Sequence, residues 1–337
     1  MKNTMKVIGS AWGQRIGLLV LICIIMLIFQ PRFFSLNNAR GILLAIAITG
    51  IMSCGMLFTV LVGGMDLSVG SMAGVAACIT FNIAKSSGFT NEAYFLGCAV
   101  ALGVCILVGI LNGFFVTYFG LPAFVVTLAM KYILYGCAFF ITKGIFVFAP
   151  PSGPAFQLGN GYFLGIPIPI IVLALVVAAS AFVLSKTTYG RRLYAVGGNK
   201  KVANLAGVKS NVYICIAFVI SSVLAGLGGV MLSSMTGQCG QQTAVGYEGY
   251  VLMAMIVGGI NLAGGEGGVT GAIFGALLVG IINNVMLMLS VNMDMQQFIR
   301  GLIILAAMTV SMLAKRSSME GLGVRLPKPA RGKGGGD

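Results

Sequence analysis

Long apolar runs separated by short polar or glycine-rich breaks dominate this chain, and they constrain its fold more than any other feature. Of 337 residues 58% are hydrophobic, and only 28 carry charge (21 Lys or Arg plus 7 Asp or Glu). A soluble domain of this size carries far more charge, whereas runs of about 20 apolar residues suit helices that cross a bilayer. Glycine contributes 49 residues, about twice the usual share of roughly 7%. Lipid gives helices no hydrophobic reason to associate, so close backbone approach through Gly, Ala and Ser must supply the packing. The expected fold is an all-α polytopic membrane protein.

The pattern predicts about ten transmembrane helices. In order they are 16–29, Gly41–Val62, Leu67–Ala84, Ala93–Val116, Pro122–Ile141, Pro167–Leu184, Val212–Met235, Tyr250–Leu262, Val269–Ser290 and Gln296–Ala314. The first run has the length of a signal-peptide core, but no small-x-small cleavage site follows it, so it reads as a retained helix. The eighth is short for a bilayer core of about 30 Å, which predicts a tilted, extended or broken element. Lys143–Gly165, with Pro150, Pro151 and Pro154, reads as an irregular outer cap. The organisation expected is a cytoplasmic N-terminus (1–15), a transmembrane domain (16–314) and a basic disordered cytoplasmic tail (315–337).

The net charge of +14 is distributed as a topology signal and not as a nucleic-acid footprint. Fifteen basic residues fall in three places: Lys2, Lys6 and Arg15; six within 186–210; and six from Lys315 to Lys333. Only Arg32, Arg40, Lys85 and Lys143 lie on the other side if those three are inside. That asymmetry predicts both termini and the 186–210 loop in the cytoplasm. Lys131 falls within a span with no acid nearby in sequence, so it must face the protein interior or snorkel. With no histidine, imidazole metal sites and Ser-His or Cys-His catalysis are excluded. Eight cysteines without a Cys-x-x-Cys pair read as small packing residues. No nucleophile-base pair suggests an enzyme.

The stretch Lys186–Ser210, KTTYGRRLYAVGGNKKVANLAGVKS, is the one long polar island, with six basic residues and no acid. It predicts a turn at Thr188–Gly190 and a short helix over 200–206, N-capped by Asn199 and closed by Gly207. Gly197 and Gly198 would let the chain reverse tightly beside that helix. Tyr189-Gly190-Arg191, Tyr194 through Asn199, Ala203 and Gly207-Val208 closely resemble the coupling segment of permease subunits in monosaccharide ABC importers of the ribose, galactose and xylose type. Gln30 through Asn38 and the Gly63–Ser71 stretch, with Asp66-Leu67-Ser68, resemble the same family. The resemblance covers roughly residues 30 to 315.

This resemblance implies an ABC-importer permease architecture in which Tyr189, Gly190, Arg191, Tyr194, Gly197, Gly198, Asn199, Ala203 and Gly207 dock on an ATPase subunit. No Gly-x-x-x-x-Gly-Lys-[Ser/Thr] occurs, so ATP and magnesium would be held by that separate ATPase polypeptide, with no cofactor on this chain. A second permease copy or paralogue and an extracytoplasmic sugar-binding protein complete the implied set of partners. Autoinducer-like furanosyl compounds and nucleosides stay open as substrates. An ion-coupled secondary transporter is the competing class, although it would ordinarily use several intramembrane carboxylates or histidines.

Asp66, Ser68, Glu248 and Asn261 are the candidates for lining or gating the path. Asp66 reads either as an N-cap of the third helix or as part of the transport path or subunit coupling. Val62-Gly63-Gly64-Met65-Asp66-Leu67 matches Val257-Gly258-Gly259-Ile260-Asn261-Leu262, the kind of interrupted repeat that transporters place beside their substrate path.

Overall fold

The computed structural model describes residues 17, 19–20, 23–24, 26–151 and 153–321. The expected cytoplasmic N-terminus and most of the basic tail lie outside the described residues. After a 3₁₀ turn at Pro31–Phe34, Ser35 N-caps the first long helix by accepting a hydrogen bond from the Asn38 N–H at 3.3 Å. The helices that follow are α1 (Leu36–Leu61), α2 (Val69–Ser86), α3 (Asn91–Thr117), α4 (Ala123–Thr142), α5 (Pro154–Asn160) and α6 (Ile168–Lys186). Next come α7 (Thr188–Gly198), α8 (Lys200–Leu205), α9 (Ser210–Thr236), α10 (Tyr247–Val257), α11 (Val269–Met288) and α12 (Met293–Gly321).

Among the described residues six helices, α1, α3, α4, α6, α9 and α11, are long and apolar enough to cross a membrane. The chain is a mostly helical, multi-pass membrane protein. The eighth predicted span, expected to be tilted, extended or broken, corresponds to the short helix α10: its 11 residues rise about 16 Å, roughly half of a hydrocarbon core of about 30 Å. The tail expected to be disordered from 315 is helical as far as Gly321, where α12 ends.

Helix α9 is the hub and packs against α1, α2 and α3. Small residues make that possible. A Cβ added at Gly229 would collide with the Ala73 carbonyl of α2, and one added at Gly109 of α3 would meet the backbone of Phe218 and Val219. Ser221, Ser222 and Ala225 of α9 are sealed in the same contact, as expected where van der Waals packing between small residues replaces hydrophobic drive. Helix α1 is enclosed from Ile46 to Leu61, so it forms the core, while little of α6 is buried.

The stretch predicted as irregular outer cap has more order than its proline content suggested. Val147–Phe148 (β1) pairs antiparallel with Gln238–Cys239 (β4), and Tyr162–Phe163 (β2) pairs with Ile166–Pro167 (β3). Helix α5 begins at Pro154, where a missing N–H costs nothing, and is tied to α9 through the Asn160 amide, which donates to the Ser234 and Met235 carbonyls at 3.1 and 3.2 Å.

Candidate functional site

The polar island folds as two helices. Thr187 N-caps α7, its hydroxyl accepting from the Gly190 N–H at 3.3 Å. Thr188–Gly190 is therefore the first turn of a helix and not the free turn expected: a capping threonine and the following Leu193 and Val196, both buried, are enough to extend helix back to Thr188. Asn199 caps α8 as predicted, its side-chain oxygen accepting from the Lys201 and Val202 N–H groups at 3.0 and 3.1 Å. Gly207 closes α8 at φ +80°, with Val208 N–H returning to the Ala203 carbonyl at 3.0 Å, a Schellman-type stop.

Gly197 and Gly198 do not reverse the chain. Both belong to α7, and neither has positive φ. Position 197 needs glycine for a different reason: a Cβ there would run into the Leu61 carbonyl oxygen and the Gly265 N–H. At Gly198 nothing lies within 4 Å of where a Cβ would sit. The end of α7 is thus wedged onto two glycine-rich turns, one after α1 and one after α10. Gly265 N–H donates to the Leu61 carbonyl at 2.9 Å, and the Tyr194 hydroxyl donates to the Gly267 carbonyl at 2.8 Å. Three stretches far apart in sequence meet at one end of the bundle.

Those two turns are the pair matched in sequence, and their geometry agrees. Helix α1 ends with Gly63 at φ +76° and Gly64 N–H bonded back to the Thr59 carbonyl at 2.9 Å; α10 ends with Gly259 at φ +70° and Ile260 N–H bonded back to Met255 at 3.0 Å. The left-handed residue is shifted by one position between the copies. After the turn both copies use the same side-chain device. Asp66 Oδ1 accepts from the Ser68 N–H at 3.0 Å, and Asn261 Oδ1 accepts from the Ala263 N–H at 3.1 Å.

Beyond that the copies diverge. Asp66 and Ser68 are fully buried. The Asp66 carboxylate also accepts from the Ser68 hydroxyl at 2.5 Å and from the Ser221 hydroxyl of α9 at 2.7 Å, while the Asn112 amide of α3 donates to Ser68 Oγ at 3.2 Å. Thr127 of α4 accepts from the Leu67 N–H at 3.0 Å. Asp66 does not cap α2: the N-cap position is Ser68, without a side-chain cap bond, because the carboxylate is engaged by hydroxyls from its own turn and from α9. Asn261 is only half-buried, and beyond its turn bond from Ala263 its amide donates to the Glu266 carboxylate at 3.2 Å.

Glu248 stands apart from this junction. It lies in the first turn of α10, 2.7 Å from the Lys131 ammonium of α4. Sequence reasoning missed this pair because 117 positions separate its members. The available signal was physical: a lysine inside a span requires a counter-charge, and few acids qualify.

The outward side of α7–α8 is basic and apolar. Arg191, Lys200 and Lys201 are exposed, as are Val202 and Leu205, the last at 90%. Tyr189 faces inward, stacked on Tyr213 with ring centroids 5.5 Å apart, and Arg192 donates to the Tyr213 hydroxyl at 2.7 Å. Ala203 is buried where α8 leans on the bundle. Of the nine predicted docking residues, then, Arg191, Gly198, Asn199 and Gly207 are exposed, while Gly190 and Ala203 are buried.

Residues 38–308 match the family described as "Branched-chain amino acid transport system / permease component". The chain belongs to this permease family. It is 34% identical over 305 residues to the L-arabinose transport system permease protein AraH of Escherichia coli (strain K12), covering 89% of this chain and 90% of that protein. It is 34% identical to the ribose import permease protein RbsC of Haemophilus influenzae, over 87% of this chain and 90% of that one. To the probable ABC transporter permease protein YphD of Escherichia coli (strain K12) it is 34% identical over 94% and 95% of the two chains. No solved structure matches it. Permease family members of this kind are transport components, and the geometry above is that of a membrane bundle carrying a polar helical elbow.

Proposed function

We propose that the chain is the membrane-spanning subunit of an ATP-driven importer for a monosaccharide, working by alternating access. The observation that carries this reading is the wedge of α7 on the ends of α1 and α10. A partner gripping the exposed Arg191, Lys200, Val202 and Leu205 would not move a free loop. It would move Gly197 against Leu61 and Gly265, and with them the junction of two helix ends that flank the bundle core. A rigid element biased from one side and coupled to another is what transmission requires. ATP and magnesium belong to the partner ATPase, and a sugar-binding protein delivers the solute from outside.

The relatives that transport arabinose and ribose support a monosaccharide as the substrate. Ten crossings follow if the N-terminal helical residues, α2, α10 and α12 join the six long apolar helices, and the charge asymmetry then puts α7–α8 and both termini in the cytoplasm of a bacterial cell. Two copies, identical or paralogous, enclose the route.

The test is reconstitution. In liposomes the chain alone should take up no sugar under an imposed proton or sodium gradient. With its ATPase partner, binding protein and ATP, uptake should begin, and vanadate should stop it. Gradient-driven uptake by the chain alone would overturn the reading.

A further inference from the structure

The polar groups around Lys131 belong to neither the α7 junction nor the Asp66 network, and their depth makes them unusual. Lys131 is the ninth residue of the 20-residue helix α4, about 12 Å along it and therefore near mid-membrane. Its partner Glu248 begins the half-length helix α10, so the irregular stretch 240–246 descends to the same depth. That stretch is packed into the bundle: the Thr243 and Ala244 carbonyls press on Gly74 and Gly70 of α2. Non-helical backbone at such depth is tolerated only inside protein or along a water-filled cavity.

The side chains point to the second alternative. Lys131 remains 28% exposed, and Gln242, whose amide donates to the Tyr135 hydroxyl at 2.9 Å, is exposed as well. A charged ammonium and a carboxamide left facing hydrocarbon would be costly, so the surface they share faces water. Their bonding capacity is open on that side. The ammonium has three N–H donors and Glu248 takes one; the Gln242 carbonyl oxygen is a spare acceptor. Glu248 turns its second oxygen into the bundle beside Gly70, where it is enclosed and has no partner among the described residues. It therefore fixes the lysine and cancels its charge without reaching the open side.

We propose that Lys131, Tyr135 and Gln242 form a water-lined contact site at mid-membrane for a neutral polyhydroxylated solute, with Glu248 as the positioning residue that holds and neutralises the ammonium. Paired donors and acceptors with no net charge suit sugar hydroxyls and give no advantage to an anion. The site rests on the importer reading for its role, though not for its exposure to water.

The experiment has two arms. In a cysteine-free background, Gln242→Cys and Tyr135→Cys in membranes should react with a small charged thiosulfonate, whereas Ile133→Cys, on the opposite side of α4 and 57% exposed, should not. An unreactive position 242, or equal reaction at 133, overturns the site. In the assembled complex, Gln242→Ala and Tyr135→Phe should each lower solute moved per ATP by about fivefold, the weight of roughly one hydrogen bond. Binding-protein-stimulated hydrolysis should stay within about twofold of the parent. An unchanged ratio, or a parallel fall in uptake and hydrolysis, also overturns it. If the parent complex fails to import with ATP, the importer reading fails instead, while the thiol result still decides whether the site is water-lined.

Discussion

Two acids of this chain, Asp66 and Glu248, are handled in opposite ways. Asp66 is fully buried and its two oxygens accept from one backbone N–H and two hydroxyls. Those donors come from its own turn and from α9, so the carboxylate locks the α1–α2 break to the hub helix. Glu248 has a single cation, Lys131, and one unsatisfied oxygen, and it tethers the start of a half-helix beside an exposed polar surface. The same residue chemistry serves as a fixed strut in one place and as the edge of an open site in the other. Saturation of the acceptor sites, more than burial, separates the two.

Breaking the strut should have the largest effect on stability. Asp66→Ala removes three accepted hydrogen bonds at about 1 kcal/mol each, so a loss of roughly 3 kcal/mol is expected, read as a lowered unfolding midpoint in detergent by circular dichroism. Asp66→Asn should recover most of it, since Asn261 makes the equivalent turn bond in the second copy. If Asn behaves like Ala, the carboxylate charge matters and the likeness between the copies is superficial. Glu248→Gln should shift the midpoint by less than half as much as Asp66→Ala while reducing transport more than abundance; the reverse order would erase the contrast between strut and site.

Smaller effects sharpen the same comparison. Asn199→Ala removes the α8 cap and should cost about 1 kcal/mol of local helix stability, detectable as faster amide exchange in 200–205 with the bundle unchanged. Asn261→Ala removes two hydrogen bonds at a half-buried turn, one from the Ala263 N–H and one to Glu266, and should move the midpoint by about 1–2 kcal/mol, less than Asp66→Ala does. A cost equal to that of Asp66→Ala would mean that the second turn is as deeply locked as the first.

The membrane class, the polar island and its α8 cap were legible because each depends on local sequence: apolar run length, charge spacing, and an asparagine ahead of Lys200-Lys201-Val202. The short eighth span was also legible, from its length alone. What could not be read were relations across distance. Ser221 reaches Asp66, and Asn112 reaches Ser68, from helices further along the chain, and Lys131 finds Glu248 only once α4 and α10 pack together. Gly197 was read as a turn residue because glycine's commonest local use is conformational freedom. Its actual reason, the Leu61 carbonyl against its face, lies in another element and leaves no trace in the surrounding residues.

That wedge makes the most direct measurement possible. Gly197 and Gly198 are neighbours on α7, but an added methyl collides with Leu61 at the first and meets open space at the second. Uptake by the ATPase-assembled complex should fall about tenfold or more for Gly197→Ala, the range of a typical coupling energy, with membrane abundance near that of the parent. Gly198→Ala should stay within about twofold. Equal uptake for the two variants would contradict transmission through the α7 wedge and leave the segment a passive connector.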